Sequence, residues 1–490
     1  MQISTKDIPE EVKRVSETLE KGGYEAYLVG GCVRDLLIGK TPKDWDFTTN
    51  ARPEQIAGLF AETYQNNDFG TVGVVNETED ERLKVVEVTP YRLESGYSDA
   101  RRPDEVIFSD SLSDDLKRRD FTMNAIAYSV SGDTLTDEFE GMEDIKEKRV
   151  RAVGNATERF AEDALRMMRA VRLAVELGFV IESETMQAIA ENTDNLSRIS
   201  KERIRDEFVK ILASDAPMQG VVLLEKLGML QYVAPDILRG IGVEQNKAHA
   251  YHVYEHLLRT LQHAADKKWP IYLRIAALFH DVAKPETRRW SDEKGTWTFY
   301  GHEVVGSRVT RKALTALKFP RETVDLVSNL VRWHMFFSDP DTVTLSAVRR
   351  TIQNVGQDHI EDLLNLRVCD RIGTGRPKEQ PFRFRKYKAM VDEALRDPIS
   401  VKMLAIGGKR IMEISGEKPG PKVGYALHAL LEEVLDDPSK NTAKYLEKRA
   451  VELLGLTEAE LKKLGEQGKE KQKGEEEQAV REIQKKHRVG

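Results

Sequence analysis

Cysteine is almost missing from this chain: Cys32 and Cys369 are the only two in 490 residues. Two thiols so far apart supply neither a disulfide framework nor a zinc ribbon, and they point to a reducing compartment. Long apolar runs are missing too. No stretch approaches the roughly 20 residues that a membrane-spanning helix requires. The N-terminal "MQISTKDIPEEVKRVSETLEKGG" has the pattern of an amphipathic, mixed-charge helix and lacks the apolar centre of a signal peptide. Repeats of fixed period are absent. A basic excess is absent as well, since the net charge is −7. That argues against a surface coated with cations, while local basic clusters remain free to meet nucleic acid. What is left is a soluble globular protein, expected in the cytoplasm and away from membranes. At roughly 100–200 residues per domain its length implies about three or four domains. The composition leaves oligomeric state open.

The character of the sequence changes along the chain. From Tyr24 to about Val130, short strand-like runs ("EAYLVGG", "DWDFTT", "GTVGVVN", "LKVVEVTPYR", "NAIAYSV") alternate with helical patterns ("RDLLIG", "RPEQIAGLFAETY"). This predicts a small α/β domain with a mixed sheet. Beyond about Val150 the periodicity is helical, as in "TERFAEDALRMMRAVRLAVELGF" and "SKERIRDEFVKILAS". The expected division is 1–147 for the α/β head, 148–240 for a helical neck, 241–378 for a histidine-bearing helical domain, 379–460 for a helical tail and 461–490 for a charged extension. That extension is low in aromatics and reads as a frayed helix or disordered chain.

Within the head, "VGGCVRDLLIGKTPKDWDF" sets Asp44 and Asp46 two residues apart. On a strand such residues share a face, about 7 Å apart. Two carboxylates placed so repel and raise each other's pKa unless a cation lies between them. Mg²⁺ fits, since it takes one or two carboxylates together with substrate phosphates. Alone, an Asp-x-Asp pair is commonly an exposed turn. The residues before it shift the reading. Gly30 and Gly31 follow a strand, where backbone approaches a phosphate closely, and Arg34 adds a phosphate-binding fork. A glycine pair, a helical turn and an aspartate pair on the next strand form a nucleotidyl-transfer layout. Two metals on the aspartates would activate an attacking hydroxyl and neutralise a leaving pyrophosphate. Glu87 interrupts the apolar run in "VVEVTPYR" and is the candidate third carboxylate, unless it is simply an outward-facing strand residue.

These residues carry a resemblance. "LVGGCVRDLLIGKTPKDWDFTTNARPEQI" resembles the signature of class II tRNA nucleotidyltransferases, the CCA-adding enzymes and bacterial poly(A) polymerases of the polymerase-β superfamily. The likeness continues, in the family's order, through "TPYRLESGYSDARRPDEVIF", "SLSDDLKRRDFTMNAIAYSV", "GMEDIKEKRVRAVGNATERFAEDALRMMRAVRLA" and "RISKERIRDEFVKIL". It implies an α/β nucleotidyltransferase head with a mixed sheet, followed by a mostly helical neck, body and tail. It implies template-independent addition of CCA, or of its terminal A, to tRNA 3′ ends from CTP and ATP with Mg²⁺. Poly(A) polymerase is the alternative within the family.

The resemblance also assigns residues. "EDALR" matches a Glu-Asp-x-x-Arg motif that chooses the base, with Asp163 and Arg166 expected on one side of a single helix. A carboxylate accepts from the exocyclic amine of cytosine or adenine, and a guanidinium donates to the unprotonated ring nitrogen. Uracil and guanine present the opposite groups, and each mismatch costs about 1–3 kcal/mol. In "RRDFTMNA", Arg119 matches a phosphate contact, and Asp120 and Asn124 match ribose contacts; Asp120 otherwise caps the turn that follows. Arg159 and Arg169 are expected to complete the triphosphate or base pocket. Thr89 to Pro103 matches the loop linked to the switch from CTP to ATP. Its Arg92, Asp99, Arg101 and Arg102 disfavour an enzyme that adds only CC. The tail is implied to grip tRNA by shape and phosphate contacts.

Histidines concentrate further on, at His249, His252, His256, His263, His280, His302 and His334. His and Asp ligands suit divalent metals, and the ordered series His256, His280-Asp281, His302, His334, Asp370 resembles the HD phosphohydrolase superfamily. His256, His280, Asp281 and Asp370 match its core ligands, and His302 and His334 match positions for a second metal. A transition metal such as Mn²⁺, Ni²⁺ or Co²⁺ is implied, with Lys284 steadying a phosphate. The implied activity is phosphatase or cyclic phosphodiesterase action on 2′-phosphorylated ends. Two further readings stay open: a phosphohydrolase whose head mainly binds RNA, and a non-catalytic RNA-binding module.

Overall fold

Seven short strands build one sheet: β1 (Tyr27–Val29), β2 (Asp46–Thr49), β3 (Thr63–Gln65), β4 (Val72–Val75) and β5 (Val85–Pro90), then β8 (Ile126–Ser129) and β9 (Thr134–Asp137). Between them β6 (Arg92–Ser95) and β7 (Glu105–Phe108) pair as a separate ribbon. The sheet order is β3-β4-β5-β2-β1-β8-β9. β2 and β5 run parallel and the other neighbours antiparallel, so the sheet is mixed, as expected. This computed structural model describes residues 2–65, 70–95, 105–246, 249–336, 343–396 and 400–489. Asp99, Arg101 and Arg102 lie outside the described residues, whereas Arg92 begins β6.

The head's geometry follows from alternation. In β5, Val86, Val88 and Pro90 are buried and Glu87 lies on the other face. Trp45 and Phe47 are buried, so Asp46 between them faces away from the core. Gly30 has φ +79, the left-handed region that favours glycine, and it turns β1 sharply into the helix Gly31–Leu37.

The chain divides into two compact units, Met1–His334 with Cys369–Pro377, and Met335–Val368 with Lys378–Gly490. In the first, the head leads into helices. β10 (Arg149–Val150) and β11 (Val180–Ile181) pair in parallel around the helices Ala156–Glu162 and Leu165–Leu177. The second of these ends at Gly178 in the left-handed region, as the sequence implies. The histidine region brings the helices Val253–Asp266, Ile271–Phe279, His302–Ala316 and Arg321–Trp333, with a hairpin of β12 (Arg289–Ser291) and β13 (Thr296–Thr298) inserted among them.

The second unit corrects the expectation for the C-terminal extension. It is neither frayed nor disordered: Glu458–Lys486 is one 29-residue helix, opened by a capping box of Thr457 and Glu460. A Cβ on Gly465 would lie 2.7 Å from the Tyr425 Cα, and one on Gly468 2.1 Å from the His428 carbonyl oxygen. Only glycine permits this approach to the helix Pro421–Asp436. Charges that read as solvated pair with neighbouring elements, as in Lys486 and His487 with Asp392 at 2.7 and 2.9 Å, Lys471 with Asp436, and Arg396 with Glu476. No helix among the described residues is long and apolar enough to cross a membrane.

Candidate active site and metal centre

Two sites emerge, both in the first unit. The first gathers on the head sheet. Parallel pairing of β2 with β5 sets Asp46 directly beside Glu87, so the third carboxylate expected on a neighbouring strand stands in register with Asp46. Asp44 does not share the strand with Asp46. It lies exposed in a bend two residues before β2 begins, because β2 starts at Asp46. Burial and the charges of Asp44 and Glu87 push the Asp46 carboxyl up to about 7, against the pull of Arg119. A buried carboxyl whose charge two neighbouring carboxylates disfavour is relieved by a hard divalent cation, and carboxylate oxygens are the donors such a cation takes.

Gly30 roofs this set. A Cβ there would lie 3.3 Å from Arg119 Nη1 and 3.7 Å from Asp46 Oδ2. Arg119 is held by Asp115 at 2.9 Å, and its Nε is buried with no acceptor among the described residues. Asp115 is itself fully buried between Arg118 and Arg119. Sequence reasoning passed over it, although its spacing of three and four from those arginines on a helix was the available signal.

A hydrogen-bond chain then runs from head to neck. Arg34 donates to Asn124 Oδ1 at 2.8 Å, and to Asp35. Asn124 Nδ2 donates to Asp120 Oδ1 at 3.1 Å, and the Phe121 N–H donates to the same oxygen at 2.8 Å. Arg169 donates twice to Asp120 Oδ2, at 2.8 and 2.6 Å. Burial works against the charge on Asp120, and Arg169 and Asn124 outweigh it, holding the carboxyl below the usual range. A carboxylate accepts about four hydrogen bonds, and Asp120 already accepts four. It is a bracket as well as a turn cap, and it holds Asn124, which in turn accepts from Arg34.

Asp163 and Arg166 do not lie on one helix. Asp163 is extended (φ −140, ψ 102) between the helices Ala156–Glu162 and Leu165–Leu177, and its carboxylate caps the second by accepting from the Leu165 N–H at 3.0 Å. Capping and a two-pronged pair with Arg203, at 3.2 and 2.6 Å, outweigh helical periodicity there. Arg166 is oriented separately, by Glu162 at 2.6 Å and by the carbonyls of Arg159 and Arg118. Arg159 is tied to Glu162 and to the Lys117 carbonyl rather than to a pocket of its own. Arg203 was missed; 40 residues separate it from Asp163, and no local pattern announces the pair.

The second site is the histidine cluster. Ligand atoms of His256, His280, Asp281 and Asp370 lie within 4.8 Å of one another, as do those of Asp281, His302 and His334, and all six residues are buried. The Nδ1 atoms of His280, His302 and His334 lie 2.8, 2.6 and 2.7 Å from the carbonyls of Ala277, Phe299 and Val331. A carbonyl only accepts, so each Nδ1 carries hydrogen and each neutral ring turns an Nε2 lone pair inward. Those lone pairs meet carboxylates. His280 Nε2 is 3.2 Å from Asp281 Oδ2, and His302 Nε2 is 3.1 Å from Asp281 Oδ1, which has no hydrogen-bond donor among the described residues. Acceptors facing acceptors need a cation between them. With no metal bound, a proton is that cation at His280: burial alone pushes the ring down, but Asp281 and Asp370 outweigh it and lift it to about 9. Burial pushes His334 down to about 4.

Lys284 borders the cluster, 2.5 Å from Asp281 Oδ2 and 2.7 Å from Gln245 Oε1. His249 packs edge-on against His256 and lies 3.3 Å from Lys284 Nζ. His252 sits at the N-terminus of its helix and His263 lies against Trp269, neither among the converging ligands.

Comparison with known proteins follows this division. Residues 26–151 match a family model described as the Poly A polymerase head domain, residues 178–240 one described as a probable RNA and SrmB-binding site of polymerase A, and residues 253–372 the HD domain. Asp163, Arg166 and Arg169 fall between the first two. The CCA-adding enzyme of Lactiplantibacillus plantarum is 47% identical over 222 residues, 45% of this chain and 53% of that enzyme. The chain thus spans about half the length of the lactobacillar relatives it matches. The CCA-adding enzyme of Geobacillus stearothermophilus is 33% identical over 434 residues, 88% of this chain and 94% of that enzyme. A crystal structure of the Bacillus stearothermophilus CCA-adding enzyme in complex with CTP superposes with a TM-score of 0.59 at 29% identity, over 91% of this chain and 98% of that one. The Thermotoga maritima CCA-adding enzyme complexed with tRNA shares the fold at 18% identity and a TM-score of 0.51, over 91% and 97% of the two chains.

Proposed function

The chain belongs to the CCA-adding enzyme family, and from that premise we propose that it adds CCA to tRNA 3′ ends from CTP and ATP, without a nucleic-acid template, in the cytoplasm. The observation that carries the reading is the register of Asp46 beside Glu87 beneath Gly30, with Asp44 close enough to raise the Asp46 carboxyl. Asp44, Asp46 and Glu87 would hold Mg²⁺, whose chemistry here is to activate the tRNA hydroxyl and offset charge on the departing pyrophosphate. Gly30 and Gly31 let backbone N–H groups approach the triphosphate, and Arg119 directs its free Nε–H there. Asn124 and Arg34 face the ribose, and Asp120 holds Asn124 and Arg169 in place. Asp163 accepts from the exocyclic amine of cytosine or adenine, and Arg166 donates to the ring nitrogen. Arg203 and Glu162 fix the pair from outside, which keeps the two bonds aimed without a continuous helix. The helical tail contributes shape and phosphate contacts to tRNA.

The test is incorporation on tRNA ending at the discriminator base, at C and at CC, with each nucleotide supplied separately. Two CMP followed by one AMP is the expected result. AMP on CC ends alone would replace this reading with terminal-A addition, and long A tracts would replace it with poly(A) polymerase.

A second activity is favoured by the six buried His and Asp groups that converge with acceptors facing one another. These would hold one or two divalent transition metals such as Mn²⁺, Ni²⁺ or Co²⁺, which supply an acidified water and charge neutralisation. The reaction is phosphoester hydrolysis. Water adds to phosphorus, one P–O bond to ribose breaks, and the ribose oxygen leaves as a hydroxyl with the proton that water gave up. Lys284 pairs with a phosphoryl oxygen. Hydrolysis of 2′,3′-cyclic phosphate that survives His280→Ala with Asp281→Ala would sink this assignment.

A further inference from the structure

The hairpin inserted between Lys284 and His302 carries chemistry that neither site uses. Antiparallel pairing of β12 with β13 sets Trp290 opposite Trp297, rings edge-on at 5.1 Å. Arg288 lies over the Trp297 ring at 3.7 Å, and its Nε is buried with no acceptor among the described residues. Trp290 is 52% exposed and Tyr300 74% exposed. Lys294 Nζ is 2.6 Å from the Tyr300 hydroxyl and 5.3 Å from its ring centre.

Side chains two apart share a strand face. Trp290 therefore shares a face with its partner Trp297, while Arg289, Ser291, Thr296 and Thr298 take the other. Just past β13, Phe299 continues the aromatic series inward. It is 7% exposed, its carbonyl fixes His302 Nδ1 at 2.6 Å, and its ring lies 5.5 Å from Lys284 Nζ. Lys284 in turn touches Asp281. An aromatic strip thus leads from solvent to the edge of the ligand cluster.

We propose that this hairpin is a base-stacking platform for the 3′-terminal nucleotides of a single-stranded RNA, laid so that the terminal phosphate reaches Lys284 and the metal that Asp281 would hold. The proposal rests on the reading of the histidine cluster as a phosphohydrolase. Exposed rings interleaved with cations are the surface that single-stranded nucleic acid takes: bases stack on the rings and phosphates meet the cations, whatever the sequence. Of the acidic groups nearby, Glu286 is paired to Arg239 at 3.4 Å and Glu244 to Arg288 at 3.8 Å, and Asp292 and Glu293 share the hairpin turn with Lys294.

The test uses the full chain and a short RNA that ends in 4-thiouridine with a 2′,3′-cyclic phosphate. Irradiation is expected to cross-link the last base within Arg289–Tyr300, and Trp290→Ala with Tyr300→Ala removes that product. Absence of any cross-link in this segment overturns the proposal and leaves the face to a protein partner. Turnover gives a second reading. The ratio of kcat/KM for this RNA end to that for bis(p-nitrophenyl) phosphate should fall about 5- to 150-fold in the double variant, the range of one lost base–aromatic stack. An unchanged ratio overturns the proposal, and so does a Trp290→Phe, Tyr300→Phe variant that behaves like the alanine pair, since phenyl rings keep the stacking face. If the unaltered protein hydrolyses neither substrate, the hydrolase reading alone fails, and the cross-link map decides the platform.

Discussion

Asp46 binds a proton and a divalent cation in competition, and near neutral pH the competition is measurable. Its carboxyl stands at about 7 instead of 3.8, because burial, Asp44 and Glu87 all disfavour its charge. At about 1.36 kcal/mol per tenfold, that step corresponds to about 4 kcal/mol held against the anion. The folded-state pKa is raised above the unfolded one, so the proton's contribution to stability is full below about pH 3.8, declines as pH rises from there, and is gone above about 7. Mg²⁺ has to displace that proton. Its apparent affinity, level above about pH 8, should be about tenfold weaker at pH 6, and binding at pH 7 should release about half a proton. Calorimetric titration of the full chain, in buffers that differ in ionisation enthalpy, counts the protons directly. Asp46→Asn should remove the pH dependence together with most of the affinity. Glu87→Gln removes one repelling charge and should move the midpoint to lower pH. An affinity that stays flat from pH 6 to pH 8, or proton release unaltered in Asp46→Asn, refutes the reasoning.

Three other outcomes are expected. Arg203→Ala unclamps Asp163 and should lower kcat/KM for CTP and ATP by about 10- to 100-fold, equivalent to about 1–3 kcal/mol; wild-type kinetics would show that the clamp does nothing for the base. His280→Ala with Asp281→Ala should abolish tightly bound transition metal by elemental analysis while leaving nucleotide incorporation intact, since these ligands play no part at the head site. Gly468→Val should lower the melting temperature by overpacking against the His428 backbone, at a cost of about 1–3 kcal/mol or more, whereas Gly474→Ala, whose Cβ would meet nothing within 4 Å, should be neutral or slightly stabilising.

What the sequence made legible was local. The break in the β5 apolar run at Glu87 follows strand periodicity, the glycine pair follows turn chemistry, and the histidine ligands follow residue type and order; strand spacing misled at Asp44, which lies in a bend before β2. What stayed hidden was tertiary. "ERFAEDALRMMRA" carries helical periodicity without a gap, and the interruption at Asp163 comes from a capping bond and from Arg203 on a distant helix. The last helix looked unstructured because, beyond Leu461 and Leu464 near its start, it packs through Gly465 and Gly468 and through ion pairs, and close backbone contact leaves little hydrophobic signature to read. The saturation of Asp120 was invisible for a similar reason: residue type announces an acceptor, but not how many donors surround it.

Asp120 bears on which pieces of this protein can be inherited separately. Its acceptors are filled from the head by Asn124 and the Phe121 N–H, and from the neck by Arg169. A recombinant that carried this head onto a foreign neck without that arginine would bury a carboxylate short of its two charged donors, a loss of about 1–3 kcal/mol. The same graft would separate the Arg118 carbonyl from Arg166, which it helps to aim. Drift in the two segments is therefore coupled. A substitution at Asp120 would strand the Arg169 guanidinium, so a matching change there should recover part of the loss, and shuffling among relatives should preserve the stretch from Arg34 to Arg203 as one block.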